Sequence, residues 1–458
     1  MISQATPRLA PEVTAEIDRP IINATGGSVR HLVVTVRAPE RQPDPERQRP
    51  PLNLGMVIDA SGSMSGPPLE SAKLAAGDVI AALADDDHMS IVSFADDAVQ
   101  HAVAVRLAGS GRRMLTRAVQ ALVTRGSTDL AAGWLSGCEA VAGRQAICER
   151  TERNHVVLLS DGHANQGQTN PVALAEHAGE LRKRGIITST VGVGCGYSPT
   201  QLQAIAEAGG GRMHDAERSE EIARIVMAEL NDTLATTVEN LEISLGLPPG
   251  AKAELYGTAP LTPTRGGCDV LVGSMLGGAT RRLVIKLRLP AGNAGGTLAL
   301  RVQTRWQSPG EETVLASDVA APGLRFDAAQ ACLTQPRDEA IATIVAEQWQ
   351  AFVYHRAMVL NQDGQERAAS EFVRKELKYL ERYCEGLPGM RDLTFGLEQF
   401  SDSVRHRYTA VTSKEVMLRA YKSSRSEADR RGRQDVDYVT LMQQEDAQRP
   451  QPPHGRQP

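Results

Sequence analysis

The sequence predicts an α/β unit with a doubly wound, mostly parallel sheet, inserted in an antiparallel β-sandwich and followed by a C-terminal helical hairpin. Three observations carry that fold class. Between residues 50 and 232, short apolar runs alternate with longer segments of helical period, the pattern of a parallel sheet wrapped by helices. On both sides of that stretch the apolar period is two, as in half-buried antiparallel strands. From Pro336 onward the spacing is helical again.

Taken in order, residues 1–45 carry Leu32, Val34 and Val36 at period two, and the run APERQPDPERQRPP separates them from the α/β stretch. Strands on both sides of an insertion predict a discontinuous sandwich. Within 50–232 the strands are LGMVIDA, MSIVSFA, HVVLLSDG, GIITSTVGVG and GRMHDA, several apolar on both faces as buried parallel strands are. The first helix opens on Pro67 and Pro68 and lines up Leu69, Ala72, Ala76, Val79, Ile80 and Leu83. Further helical patterns cover 112–122, 130–141, 171–184 and 220–234. Residues 236–325 return to period two at Leu241, Ile243, Leu245 and Leu247, at Leu283, Ile285, Leu287 and Leu289, and at Leu298, Leu300 and Val302. Their turns are LPPG, RGG, LGGA and AGNAGG. Residues 335–422 place Ile341, Val345, Trp349 and Phe352, then Phe372, Leu377 and Leu380, at helical spacing on either side of NQDG. Residues 423–458 are too polar to bury a face and read as a disordered tail, with DYVTLM its one apolar exception.

Composition narrows the function classes. The chain has 458 residues, 41% of them hydrophobic, enough for a sizeable core and more than one domain. Lys and Arg number 50 against 55 acidic residues, a net charge of -5, which gives no general attraction to nucleic acid or to an anionic membrane. The amino terminus lacks the pattern of a signal peptide and no apolar run is long enough to span a bilayer, so a cytoplasmic address is expected. Six scattered cysteines, without C-x-x-C spacing, read as reduced thiols.

The stretch GMVIDASGSMSGPP puts Asp59, Ser61 and Ser63 directly after an apolar strand, at the carboxyl edge where open α/β sheets bind ligands. Thr128 in RGSTDL and Asp161 in LLSDG fall at comparable edges. Two carboxylates and three hydroxyls, with no imidazole or thiolate, suit a hard divalent ion such as Mg²⁺ or Mn²⁺ rather than zinc. A cation held largely by neutral hydroxyls stays electrophilic and welcomes a carboxylate from a protein partner.

DASGS, GSTD and LLSDG together resemble the metal-ion-dependent adhesion site of von Willebrand factor A domains, over residues 52 to about 230. In that family the two serines and the threonine typically bind the metal directly and the aspartates often do so through water. The resemblance assigns those roles to Ser61, Ser63, Thr128, Asp59 and Asp161. Ser127 departs from the family pattern, standing where many relatives have a second glycine, which bears on loop flexibility. The sandwich and helical extension resemble bacterial proteins in which this domain sits beside an accessory β domain. Such relatives often serve in multiprotein assemblies, and AAA-type ATPases or phospho-signalling enzymes are partners the resemblance allows without selecting.

The leading expectation is a protein-binding scaffold or adaptor, not an enzyme. The alternatives are a metal-dependent hydrolase at the same edge, which lacks a G-x-S-x-G elbow because Met64 stands where the serine is needed, and a structural oligomerisation platform. Helix capping explains Ser65 and Asp129 about as well as support of the metal site does. Asp85, Asp86 and Asp87 read as a solvated turn, Cys195 as a small buried filler, and His163 as a rim residue that shapes partner choice. VGVGCG lacks the third glycine of a dinucleotide fingerprint.

Overall fold

A strand that is apolar on both sides needs cover on both sides, and that requirement organises the molecule. The computed structural model describes residues 10–40, 50–148, 152–162, 166–194, 196–216, 218–311 and 313–424. His163, Cys195 and the tail beyond Ser424 lie outside them. The described cysteines are free thiols.

The amino-terminal strands are β1 (Glu12–Ile17), β2 (Ile21–Asn23) and β3 (Ser28–Arg37). The α/β unit runs β4 (Leu52–Asp59), α1 (Pro67–Ala82), β5 (His88–Phe94), β6 (Ala98–Arg106), α2 (Gly111–Gln120), α3 (Leu130–Ile147), β7 (Arg153–Ser160), α4 (Pro171–Lys183), β8 (Ile186–Val193), α5 (Pro199–Ala208), β9 (Gly210–Ala216) and α6 (Ile222–Ala235). Then come β10 (Thr236–Gly246), β11 (Lys252–Tyr256), β12 (Leu261–Thr264), β13 (Gly267–Leu276), β14 (Thr280–Leu289), β15 (Thr297–Ala299), β16 (Arg301–Gln307), β17 (Val314–Val319) and β18 (Gly323–Asp327). The helices α7 (Ala329–Thr334), α8 (Glu339–Gln362), α9 (Glu366–Cys384), α10 (Arg391–Ser403) and α11 (Ala410–Ser424) follow.

The central sheet has the order β6-β5-β4-β7-β8-β9 and is parallel except for β6, which runs antiparallel to β5. β4, β5, β7 and β8 are buried along their whole length. α1, α2 and α6 cover one face around Met56, Ile58 and Leu159, and α3, α4 and α5 cover the other around Val57, Val156 and Leu158. Local sequence starts these helices: Asp129, Asn170 and Ser198 cap α3, α4 and α5, the last two with proline in the first turn. Gly133 and Gly137 let α3 lie close on the sheet, because a Cβ there would collide with Phe94 and Val57. β6 and α5 are absent from the sequence reading; β6 is a partly exposed edge strand whose burial follows no clean alternation.

Two further sheets form the sandwich, β1-β3-β14-β11 against β12-β13-β10-β16-β17. The period-two residues meet in its core: Leu32, Val34 and Val36 of β3, Leu241, Ile243 and Leu245 of β10, and Leu283, Ile285, Leu287 and Leu289 of β14. β3 and β14 pair in unbroken register from Ser28–Leu289 to Arg37–Thr280. The opposite face of the same strands is mixed, with His31, Thr35 and Lys286 beside apolar residues. Val33, Val284 and Tyr256 turn outward and are covered by Ile341, Val345, Trp349 and Val353 of α8. α8 and α9 form the hairpin, which α10 and α11 extend, burying Leu397, Phe400, Val416 and Met417 in the same cluster.

Candidate functional site

The turn after β4, the loop after β5 and the segment entering α3 are lashed together by their own backbone. Ala60 N–H donates to Phe94 (2.7 Å), Arg125 N–H to Ala60 (2.6 Å), Gly62 N–H to Gly126 (3.1 Å) and Asp129 N–H to Ala95 (2.6 Å). These bonds seat the turn after β4 beside the loop that enters α3. Ser127 fits that loop without a left-handed backbone, since among the described non-glycine residues only Ala104 and Asn240 have positive φ.

Asp59 ends β4 with its side chain fully buried. Its Oδ1 accepts from Ser61 N–H at 2.9 Å, and its Oδ2 accepts from Ser160 Oγ–H at 2.7 Å. Ser61 Oγ lies 3.1 Å from Ser63 Oγ, and Ser63 Oγ–H donates to Asp161 Oδ1 at 2.7 Å. Thr128 is buried. Gly162 closes the ring: a Cβ built there would sit 3.3 Å from Thr128 Oγ1 and 3.9 Å from Asp59 Oδ2. Hydrogen bonds thus join Asp59, Ser61, Ser63 and Asp161, and Gly162 brings Thr128 near Asp59, with Ser63 exposed and Asp59 buried.

The charges at that edge are uncomfortable. Burial raises the Asp59 carboxyl above its ordinary range, against hydrogen bonds from Ser61 and Ser160 that pull it down. Burial pushes Asp161 up to about 6, opposed by the Ser63 hydrogen bond and reinforced by the Asp59 charge. Two carboxylates that repel each other, among hydroxyl oxygens, fit a hard divalent cation, and the missing Cβ at Gly162 leaves room beside them. Among the described residues, no group of three or more His, Cys, Asp or Glu is placed to share a metal, so the fit rests on the mixed carboxylate and hydroxyl set.

Ser160 went unremarked in the sequence, although a hydroxyl ending the wholly buried strand RNHVVLLS was a usable signal. Asp129 caps α3, accepting from Ala132 N–H at 2.9 Å, and Ser65 ends the short 3-10 turn Gly62–Met64. The acidic run needs correcting. Asp87 is fully buried and accepts from Leu52 N–H and Ala84 N–H, both at 2.8 Å, while Asp85 pairs with Arg112 at 3.0 Å. Backbone donors at the start of β4 need an acceptor, and Asp87 supplies it. His163 and Cys195 lie outside the described residues. Behind the edge, Lys414 of α11 reaches Gly194 O and pairs with Asp215 at 2.9 Å, and Tyr197 O–H donates to the same carboxylate at 2.6 Å.

Residues 53–228 match the model of the von Willebrand factor type A domain. An uncharacterized Synechocystis protein, sll0103, is 28% identical over 304 residues, covering 64% of this chain and 69% of that protein. Uncharacterized protein YfbK of Escherichia coli is 26% identical over 225 residues, 48% of this chain but 37% of its own length. Among solved structures, von Willebrand factor type A from Catenulispora acidiphila superposes with a TM-score of 0.64 at 18% identity, covering 92% of this chain and 98% of that one. That likeness extends the shared fold through the sandwich and the helices.

Proposed function

From a von Willebrand factor type A domain at residues 53–228, we propose that the chain is a divalent-metal-dependent protein-binding scaffold or adaptor that turns nothing over. Asp59, Ser61, Ser63, Thr128 and Asp161 would hold Mg²⁺ or Mn²⁺. When bound, that cation supplies an electrophilic position for one more anionic oxygen, and an acidic side chain of a protein partner is the ligand proposed for it. The observation that carries the reading is the pair of mutually repelling carboxylates set among three hydroxyls, with Ser63 exposed. The chain's own groups orient the set: Ser160 and Ser61 N–H fix Asp59, and Ser63 holds Asp161. Among the described residues no helix is long and apolar enough to cross a membrane; a cytoplasmic address belongs to this proposal.

Calorimetric titration with Mg²⁺ and Mn²⁺, followed by partner capture with metal or with chelator, tests the reading. Asp59→Ala should lose metal and partner together while the sheet stays folded. Identical capture by wild type and Asp59→Ala in chelator would replace the adhesion reading with a structural platform. One observation favours a second reading, a metal-dependent hydrolase: Ser63 Oγ–H donates to a carboxyl held near 6. Metal-dependent turnover of phosphate or carboxylic esters that Ser63→Ala abolishes would establish it.

A further inference from the structure

The sandwich is open along one side. Among the described residues β11 ends its sheet and pairs with β14 as its one strand neighbour, and β12, across the gap, belongs to the other sheet. A groove of about 740 Å³ runs beside β11, its floor including Ala253, Leu255 and Leu261, its rim Lys252, Glu254 and Arg288. β12 carries Pro263 and is a poor template for pairing, whereas β11 has neither proline nor glycine and pairs with β14 over five residues without a shift.

The rim charges are unevenly compensated. Glu254 faces Lys286 across the strands and pairs with it at 3.4 Å. One rung further, Lys252 directly faces Arg288; both are exposed, and neither makes an ion pair with a described residue. Like charges opposite one another cost stability. A lone edge lysine guards a strand against unwanted pairing, but the second cation, on the neighbouring strand, is not needed for that. Arg288 in turn faces Val29, 41% exposed, so the helices that cover Tyr256 and Val284 do not reach this end of the sheet.

We propose that the free edge of β11 takes an extended segment of a partner polypeptide as an added strand, with alternating apolar and acidic residues. Its apolar side chains lie on Ala253 and Leu255, its carboxylates answer Lys252 and Arg288, and its backbone pairs with β11. Nothing in this surface depends on the cation at the edge of β4, so the two readings fail separately.

The probe is an end-capped, fluorescein-labelled peptide of about eight residues alternating Val and Asp, titrated against the full chain in EDTA and followed by anisotropy. Saturable binding is expected, weakened about tenfold or more when Lys replaces Asp in the peptide and by Lys252→Glu/Arg288→Glu in the protein. The charge-reversed protein should prefer the Lys peptide. N-methylation of alternate peptide amides should abolish binding. Should the double variant melt early, the single Arg288→Ala substitution reads the same loss. Absence of saturable binding, equal affinity for Asp and Lys peptides, unchanged affinity of the variants, or binding that survives N-methylation would overturn the proposal. So would a self-associated species that the double variant disperses, since the occupant would then be a second copy.

Discussion

Replacing Ser160 by alanine removes one buried oxygen and tests how Asp59 is held. Ser160 Oγ–H donates to the buried Asp59 Oδ2 at 2.7 Å, and Ser160 Oγ accepts from the half-buried Gly162 N–H at 3.3 Å. A hydrogen bond to a charged group contributes about 1.5–3 kcal/mol, and the Gly162 contact is long, so unfolding in chelator should become easier by about 2 kcal/mol. The larger consequence falls on the cation. Asp59 would keep the donors of Ser61 and the backbone of Asp161 but lose its one contact from the strand β7 hydroxyl, and the loss of a group that orients a metal-binding carboxylate typically costs about 10–100-fold in affinity. Urea denaturation in EDTA measures the first effect and calorimetric titration with Mg²⁺ the second. A Ser160→Ala protein that binds Mg²⁺ within about twofold of wild type would refute the idea that Asp59 must be pinned from the strand side.

Three other outcomes follow from buried groups and strand pairing. Asp87→Ala leaves Leu52 N–H and Ala84 N–H without their acceptor and should cost about 2–5 kcal/mol in urea denaturation, against less than about 0.5 kcal/mol for the half-buried Asp86→Ala. His355 is lowered to about 4 by burial and by the Arg356 charge, so the fold prefers the neutral ring: its contribution is intact above 6.5 and is lost as pH falls through about 4, by about 1.4 kcal/mol per pH unit. His355→Gln should flatten that slope between pH 6.5 and 4, and an unchanged slope would count against a buried neutral histidine. Deleting residues 1–45 removes β1, β2 and β3 together and exposes the ten-residue edge of β14 that β3 covers; light scattering should show aggregation, and a truncated chain as soluble and heat-stable as the full one would oppose a discontinuous sandwich.

Period and punctuation made much of this molecule readable as sequence. Apolar runs marked β4, β5, β7 and β8 because a parallel strand buried on both faces has no polar side to write. Alternation marked β3, β10 and β14 on their sandwich side, and the spacing of Ile341, Val345 and Trp349 marked α8. The candidate site was legible for a similar reason: oxygen-bearing residues following a buried strand or entering a helix must lie at the sheet's edge, and Asp59, Ser61, Ser63, Thr128 and Asp161 all stand there.

Other features depended on partners far away in the chain. The apolar residues on the second, mixed face of β3 and β14 are invisible to a period of two, because only the arrival of α8 turns Val33 and Val284 into core. Asp87 reads as a hydrophilic turn until the backbone of Leu52, thirty-five positions earlier, is seen to need its carboxylate. Ser160 reads as the end of a strand until Asp59, 101 positions away, accepts its hydrogen bond. Lys414 reads as a surface lysine on a helix until Asp215 and Tyr197 enclose it. Local sequence determines which backbone an element prefers and which face is apolar; which donor meets which acceptor, and whether a polar group is wet or buried, depends on long-range packing, where an unmet buried partner costs more than any local preference supplies.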